Sequence, residues 1–396
     1  MPEAVVVATA RSPIGRAYKG SLTQERADDL AAQMVRAALA QVPQLDVDEV
    51  DDLILGCALP GGEQGFNMAR GVAVLAGFDR LPGVTVNRFC ASSAQGLRMA
   101  FHAIRAGEAR AVIVAGAESV SRLTPDNPDS VATRNPKLAN TIEHGTTWSD
   151  PREDGRVPNF YVDMGTTAEN VAKLHGITRE EMDRFALESQ RKTEKARLAG
   201  FWDDEITPIT RSDGTVVSRD DAPRPGTTLE TLANLAPVFD QDGYITAGNA
   251  CGLNDGAAAI VVMSDEYARE LGVTPLARIM STAVSGLSPE IMGLGPIEAS
   301  RRALSLAGLT IDDIDQVEIN EAFAAQVIPC QRELGIPDAK LNVNGGGIAL
   351  GHPYGMTGVR IATTLLHSLK ARRQRYGLET MCVAGGQGMA VIFERL

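Results

Sequence analysis

Residues 84–96 of this 396-residue chain read VTVNRFCASSAQG and join two kinds of pattern. The first part is a β-branched run, and the second part is rich in small residues. Apolar residues then recur at helical spacing up to a glycine, a common helix stop: Leu97, Ala100, Phe101, Ile104 and Gly107. The stretch therefore predicts a strand, a sharp turn and a helix, with Cys90 at or near the helix N-terminus.

A cysteine at such a turn has two interpretations. Unpaired N–H groups and the positive end of the helix dipole favour a thiolate, so Cys90 is a candidate nucleophile, and the nearby N–H groups are candidates to hold an oxyanion. A free cysteine is also often a small buried hydrophobic side chain. The turn alone leaves both open.

Composition restricts the class of protein. With 396 residues, 44% of them hydrophobic and 22% charged, the chain is expected to form two or three globular domains. Its apolar runs have the length of strands, so we expect no membrane insertion. A net charge of −12 disfavours nucleic acid as a partner, although a few local arginines suffice for a small anionic ligand.

The cysteines indicate the compartment. The chain has five, with no Cys-x-x-Cys pair, which argues against both a disulfide framework and a zinc site. The N-terminus shows no signal-peptide pattern, because residues 4–8 form an apolar run of strand length. We therefore expect a reducing, cytoplasmic location and no metal.

The chain contains an internal repeat. Up to about residue 120, strands and helices alternate, which predicts a mostly parallel sheet covered by helices. Three of its segments recur in order after residue 275: 47–56 in 311–320, 85–87 in 342–344, and 112–116 in 381–385. Two related α/β halves are predicted, with a site at their strand ends.

A different texture separates the halves. Between about residues 120 and 246, prolines and polar turns are frequent, and helices are predicted at 166–175 and 179–198. The second helix opens on a capping-box pattern at Thr178 and Glu181. The segment is interpreted as an inserted, mainly helical domain, with a mobile linker as the alternative.

The second half supplies three more candidate residues. His352 lies in the glycine-rich loop 344–358, NGGGIALGHPYGMTG, where it is either functional or a hydrogen-bonded structural histidine. Cys382 ends a predicted strand before a glycine-rich turn, and Asn320 directly follows another strand. If a pseudo-two-fold axis relates the halves, these residues face the Cys90 turn.

Six motifs in this order resemble the thiolase family, that is, 3-ketoacyl-CoA and acetoacetyl-CoA thiolases, over essentially the whole length: residues 86–93, 164–170, 248–258, 320–324, 345–358 and 382–388. The resemblance implies the thiolase fold, with two related βαβαβαββ-type halves in a layered αβαβα core. The halves would comprise residues 1–119 with 247–270, and 271–396. Residues 120–246 would form an inserted loop domain that covers CoA.

The resemblance also implies an activity. Thiolases cleave 3-ketoacyl-CoA with free CoA to acetyl-CoA and a shortened acyl-CoA, or run the reverse Claisen condensation. Cys90 would be the acylated nucleophile, and His352 would take its proton and then help hold the thioester oxygen. Cys382 would be the acid/base at the α-carbon, and Asn320 would position a water in the first oxyanion hole. The backbone N–H groups of Cys90 and Ala384 would form the second oxyanion hole.

On the substrate side, the resemblance implies CoA as a co-substrate, with no bound cofactor and no metal. It further implies a role in fatty acid β-oxidation and a homodimer or homotetramer. Arg224, a CoA-nucleotide contact in many relatives, is here either that contact or a solvated surface charge. The acyl–pantetheine channel would be lined by Met164, Phe239, Ala250, Cys251 and Phe323.

Three positions depart from the family pattern. Cys251 stands where a serine is usual near pantetheine, and a thiol is a poorer hydrogen-bond partner. Ala384 replaces a glycine, which keeps the N–H group but adds a methyl group. Asp163 stands where the acetoacetyl-specific branch has histidine, so we expect a substrate range beyond acetoacetyl-CoA.

Three other functions share part of this pattern. An acetoacetyl-CoA-specific acetyltransferase differs only in acyl specificity. A ketoacyl-synthase-type condensing enzyme shares the fold but does not need a second cysteine, so Cys382 disfavours it. A non-catalytic acyl-CoA carrier has no reason to keep Cys90, His352 and Cys382 together.

Overall fold

In a computed structural model, which describes residues 1–123, 134–139 and 147–396, the N-terminal part alternates strands and helices as predicted. Its elements are β1 (Ala4–Arg11), β2 (Gly15–Arg16), α1 (Ala27–Ala40), β3 (Asp52–Gly56), α2 (Met68–Leu75), β4 (Gly83–Val86), α3 (Ser92–Ala106) and β5 (Ala111–Ser119). Strand β3 lies between β4 and β5, parallel to both. Gly107 ends α3 with a φ of 77°, the left-handed conformation that glycine adopts at helix ends.

The next part is mainly helical in its described residues. Its elements are α4 (Met164–His175), α5 (Arg179–Leu198), α6 (Phe201–Glu205), β6 (Ile209–Thr210), β7 (Val216–Val217) and α7 (Leu229–Ala233). The two predicted helices are present, and α5 begins with the capping box of Thr178 and Glu181. Helix α4 begins two residues earlier than predicted because Asp163 caps it, accepting a hydrogen bond from the Thr166 N–H at 2.8 Å.

The α/β pattern resumes from residue 254. The elements are β8 (Asn254–Ser264), α8 (Asp265–Glu270), β9 (Ala277–Gly286), α9 (Gly295–Ala307), β10 (Gln316–Ile319), α10 (Ala324–Leu334), α11 (Gly347–Leu350), α12 (Thr357–Arg372), β11 (Tyr376–Val383) and β12 (Gln387–Arg395). Strands β10 and β11 are parallel, and β11 pairs with the antiparallel β12.

The sheet confirms the repeat. In the described part of the chain its strand order is β10-β11-β12-β9-β1-β8-β5-β3-β4, with β2 on β8. The neighbouring strands β5, β8 and β1 of one half correspond, in the same order, to β11, β12 and β9 of the other half. Strand β10 corresponds to β3, and its Val317 forms a parallel bridge to Leu341 where β3 pairs with β4. The halves meet where Val5 and Val6 of β1 pair with Arg278 and Ala277 of β9.

The helices form three layers: one on the outer face of each half of the sheet, and one between the two halves. Helices α1 and α2 pack on the outer face of the first half, and α9 and α10 on that of the second. Helices α3 and α12 pack together in the middle, where Leu97, Ile104, Val359 and Leu365 are fully buried. This is the predicted αβαβα layering. No helix of the described residues is long and apolar enough to span a membrane.

Candidate active site

The Cys90 turn has the predicted form. Strand β4 ends at Val86, residues 89–91 form one turn of 3₁₀-helix, and α3 follows. Phe89 takes a φ of 44°, a conformation that a non-glycine residue adopts only when its surroundings impose it. Here the Asn87 Oδ1 accepts the Phe89 N–H at 2.7 Å, and the Ser92 hydroxyl donates to the Phe89 carbonyl at 2.6 Å. The turn thus holds Cys90 immediately before the helix.

The protonation of Cys90 differs from the expectation. Burial raises the pKa of its thiol to about 12, although the backbone N–H groups of Ala384 and of Cys90 itself lower it. The N–H groups at this turn thus favour the thiolate as predicted, but desolvation of the charged form outweighs them, so the net shift of the Cys90 pKa is upward. Cys90 rests as a thiol and needs a base.

His352 is held as a neutral base. The Thr357 hydroxyl donates to the Pro353 carbonyl at 2.7 Å, so it accepts from His352 Nδ1–H at 2.6 Å. This assigns the proton to Nδ1 and leaves a lone pair on Nε2, which lies 3.2 Å from Asn320 Nδ2. Burial, assisted by Arg360, lowers the pKa of His352 to about 3. His352 is therefore neutral, and Nε2 is the ring nitrogen that is open to a proton.

Asn320 and Cys382 lie on neighbouring strands. The Asn320 N–H, just after β10, donates to the Thr380 carbonyl of β11 at 3.0 Å. The Asn320 Oδ1 is buried and has no hydrogen-bond partner among the described residues. Burial, together with Cys90 and the other nearby thiols, raises the pKa of Cys382 well above its usual value. Cys382 and Cys90 thus lie near each other, since a negative charge on Cys90 would raise the pKa of Cys382 further.

The turn after Cys382 explains why alanine is tolerated at position 384. Gly385 and Gly386 take φ angles of 74° and 77°, whereas Ala384 is not in the left-handed region. A Cβ at Gly386 would overlap the Leu287 carbonyl oxygen. Only the two glycines are therefore required, and Ala384 keeps the N–H that points to Cys90.

A cleft of about 560 Å³ lies beside these groups. Three of the predicted CoA-contact residues line it, namely Arg224, Ala250 and Cys251. The Cys251 N–H donates to the Ala322 carbonyl at 3.0 Å, which ties the cleft to the segment after Asn320. Cys251 is partly buried, and its pKa is raised by burial and by the neighbouring Cys90, so it is a cleft residue that lies near the nucleophile.

The other three predicted contacts form an apolar wall. The rings of Phe239 and Phe323 meet nearly edge to face, with centroids 6.3 Å apart. Phe239 covers Gly165, where a Cβ would overlap its ring. Met164 packs against the cluster that contains Phe323, Ala250 and Cys382. The structure therefore brings all of these predicted residues to one region.

Asn254 joins the histidine loop to the rim of the cleft. Its Oδ1 accepts the His352 N–H at 2.9 Å, and its Nδ2 donates to the Gly15 carbonyl at 3.0 Å. Both ends of one buried amide are thus engaged, one by each loop.

The sequence patterns missed two features. Thr357 was not recognised because a single hydroxyl at the start of a helix has no distinctive pattern. The rim residues Arg16, Tyr18 and Lys19, which also line the cleft, lie in a loop without periodicity. Among the described residues, no group of three or more His, Cys, Asp or Glu side chains could hold a metal ion.

A buried cysteine with a neutral histidine and a second thiol suits acyl transfer through a thioester intermediate. Comparison with known families gives the same class: residues 4–266 match the thiolase N-terminal domain and residues 273–395 the thiolase C-terminal domain. The chain belongs to the thiolase family. It is an enzyme, an acyltransferase of CoA thioesters.

Similar proteins span the full length. The chain is 43% identical to a 3-ketoacyl-CoA thiolase of Bacillus subtilis and 45% identical to a 3-oxoadipyl-CoA/3-oxo-5,6-dehydrosuberyl-CoA thiolase of Escherichia coli, covering 100% of both chains in each case. Among solved structures, a Bacillus anthracis acetyl-CoA acetyltransferase superposes with a TM-score of 0.88 at 40% identity. Human mitochondrial 3-ketoacyl-CoA thiolase superposes with a TM-score of 0.86 at 38% identity. Each of these two alignments covers 100% of this chain and 99% of the other.

Proposed function

We propose that the enzyme cleaves 3-ketoacyl-CoA through an acyl-Cys90 intermediate. The Cys90 sulfur attacks the 3-keto carbon, the bond between C2 and C3 breaks, and acetyl-CoA leaves as its enolate. Free CoA then takes the acyl group from Cys90 and regenerates the thiol. The observation that carries the proposal is the neutral imidazole, because a thiol with a raised pKa needs a base with a free lone pair.

His352 and Cys382 divide the proton transfers between them. His352 takes the Cys90 proton on Nε2, the nitrogen left unprotonated by the Thr357 contact. Cys382 gives a proton to the departing enolate, and in the condensation it removes that proton. A thiol whose pKa is raised by burial is better matched to a weakly acidic α-carbon than an exposed thiol would be.

Two oxyanion holes serve the two carbonyl groups. We assign the first to His352 and to a water held by Asn320, whose buried Oδ1 has no partner among the described residues. The second consists of the N–H groups of Cys90 and Ala384, both directed to the Cys90 sulfur. Oxygens on two different carbons need two separate sets of donors.

For the substrate, we propose 3-ketoacyl-CoA of six or more carbons, with acetoacetyl-CoA specificity as the alternative. Asp163 replaces the histidine of the acetoacetyl-specific branch, and its carboxylate is engaged in capping α4 through Thr166. Thiolysis rates across chain lengths are expected to give a comparable or better kcat/KM at six carbons than at four. A profile that peaks sharply at four carbons contradicts this proposal.

The wider setting is proposed from the family resemblance. Residues 1–119 with 247–270 and residues 271–396 would be the two halves, and residues 120–246 the loop domain over CoA. We propose a homodimer or homotetramer in the cytoplasm, active in fatty acid β-oxidation, with CoA as co-substrate and no bound cofactor or metal. Five free cysteines support a reducing compartment.

Acylation of Cys90 tests the function directly. Incubation with acetyl-CoA is expected to leave an acetyl thioester on Cys90, visible by intact-mass spectrometry and peptide mapping. Cys90→Ala is expected to abolish both the mass shift and turnover, while Cys57→Ala, at another buried cysteine, keeps the mass shift. An acetyl group on another residue of the wild-type protein contradicts the assignment.

A further inference from the structure

The rim of the cleft includes a rigid loop. The Gly20 N–H donates to the Arg16 carbonyl at 2.7 Å and closes a tight turn. The Asp221 carboxylate accepts the N–H groups of Arg16 at 3.0 Å and of Ser21 at 2.7 Å, and the Ala17 N–H donates to the Leu253 carbonyl at 2.9 Å. The loop is therefore fixed on both sides before any ligand arrives.

Tyr18 lies at the tip of this loop in an unfavourable backbone conformation. Its φ is 65°, in the left-handed region, and the residue is 64% exposed. The Ser121 hydroxyl accepts the Tyr18 N–H at 2.8 Å, and Asp255 in turn accepts the Ser121 N–H at 2.9 Å. Glycine would fit this backbone better, so an exposed aromatic ring at this position points to a use for the ring.

Three cations line the same cleft, although the protein carries a net charge of −12. They are Arg16, Lys19 and Arg224, and none forms an ion pair within the described part of the chain. The nearby carboxylates have other partners, because Asp220 pairs with Arg11 and Asp221 holds the loop. The cleft thus concentrates uncompensated positive charge, as a site for a phosphorylated ligand does.

We propose that Tyr18 and Lys19 form the second wall of the CoA nucleotide site, facing Arg224. This rests on the proposed function, which requires the pantetheine thiol to reach Cys90 past Cys251. The nucleotide then lies at the outer end of the cleft. Lys19, with Arg16 and Arg224, binds the CoA phosphates, and the Tyr18 ring packs against the adenine.

Removal of the charge tests the phosphate contact. Lys19→Ala is expected to raise the acetyl-CoA concentration for half-maximal acylation of Cys90 about tenfold, the loss of one charge-assisted hydrogen bond. The maximal rate stays unchanged. With S-acetyl-pantetheine, which lacks the nucleotide, the variant and the wild type are expected to behave alike. Lys370→Ala is the control, because Lys370 is an exposed lysine at a different cavity. It is expected to leave the half-maximal concentration unchanged for both thioesters.

Tyr18→Gly tests the aromatic contact. The substitution is expected to raise the midpoint of thermal unfolding, because glycine adopts a positive φ without strain. It is also expected to weaken the binding of acetyl-CoA, because the ring that contacts the adenine is lost. Arg373→Gly is the matched control: Arg373 is exposed, has a φ of 55° at the end of α12, and is expected to stabilise the protein without changing acetyl-CoA use.

The proposal is overturned if Lys19→Ala changes the half-maximal concentration for Cys90 acylation equally with acetyl-CoA and with S-acetyl-pantetheine. It is also overturned if the variant changes neither concentration. It is also overturned if Tyr18→Gly leaves acetyl-CoA use unchanged. Failure of the wild type to become acylated at Cys90 by either thioester would instead overturn the proposed function, so the two failures are distinguishable.

Discussion

Cys382 lies close enough to Cys90 to interact with it, and the proposed mechanism gives the two thiols separate duties. If Cys382 only moves the α-proton, it is not needed to pass an acyl group between CoA and Cys90. Cys382→Ala is expected to keep thioester exchange but lose cleavage and condensation by about two to four orders of magnitude. It is also expected to stop deuterium exchange at the acetyl-CoA methyl group in heavy water.

The control for this prediction is Cys330→Ala. Cys330 is also fully buried, with its thiol donating to the Gly293 carbonyl at 3.3 Å. The Cys330→Ala substitution removes the same atoms but is expected to keep thioester exchange, cleavage, condensation and methyl deuterium exchange. Methyl exchange at the wild-type rate in Cys382→Ala would identify another residue as the base. A partial loss of thioester exchange is consistent, since Cys382 also supports the turn at Ala384.

At the scale of elements, the start of α12 sets the tautomer of His352. Thr357→Val keeps the shape but removes the acceptor of Nδ1–H, so the proton no longer has a fixed nitrogen. The rate of Cys90 acylation is expected to fall about 10- to 100-fold, with little change in substrate affinity. Thr357→Ser, which restores the hydroxyl, is expected to recover most of this rate.

Thr363→Val is the matched control on the same helix. Its hydroxyl is buried and donates to the Val359 carbonyl at 2.8 Å, one turn back. The substitution changes the same atoms without touching His352. Equal losses in the two valine variants would mean that Thr357 acts on the stability of the helix and not on the imidazole.

The spacing of apolar residues predicts a helix or strand well where the buried side chains recur at the period of that element. The apolar spacing in residues 27–40 predicts a helix there, and α1 spans these residues because Leu30, Met34 and Val35 return to one buried face. The apolar run at residues 111–115 predicts a strand of that length, but β5 continues to Ser119 because residues 116–119 also pair with β8. Such an extension depends on a strand far away in sequence, which no local pattern shows.

Sequence motifs predict which residues belong to the candidate site, but they do not predict its electrostatics. The motifs identified Cys90, His352 and Cys382, since glycine-rich turns at strand ends are visible in sequence. The raised pKa of Cys90 was missed because desolvation depends on how completely both halves enclose the turn. The Tyr18 rim was missed because a positive φ at a residue other than glycine has no sequence signal.

At the scale of the whole molecule, burial of His352 links stability to pH. The folded protein keeps this imidazole neutral down to about pH 3, whereas in the unfolded chain it protonates near its ordinary pKa of about 6.5. Below that pH the unfolded state binds the extra proton, so stability is lost as pH falls. The His352 contribution is expected to be about 2 kcal/mol between pH 7 and pH 5.

Urea unfolding at both pH values measures this contribution. Between pH 7 and pH 5, the free energy of unfolding of His352→Asn is expected to fall by about 2 kcal/mol less than that of the wild type. The reason is that the variant has no imidazole to protonate at that position. His175→Asn, at a partly exposed histidine that ends α4, serves as the control and is expected to follow the wild type closely. An equal loss of unfolding free energy between pH 7 and pH 5 in the wild type and in His352→Asn would show that the folded protein does not keep His352 neutral.

The amide of Asn254 has a consequence for how this enzyme can change over evolution or by design. One side chain holds both the backbone of His352 and that of Gly15. Side chains on the rim loop can be exchanged without disturbing that link, but an insertion or deletion next to Gly15 would shift the amide and with it the histidine. Selectivity for new thioesters is therefore expected to arise by substitutions on the rim, while the length of the loop stays fixed.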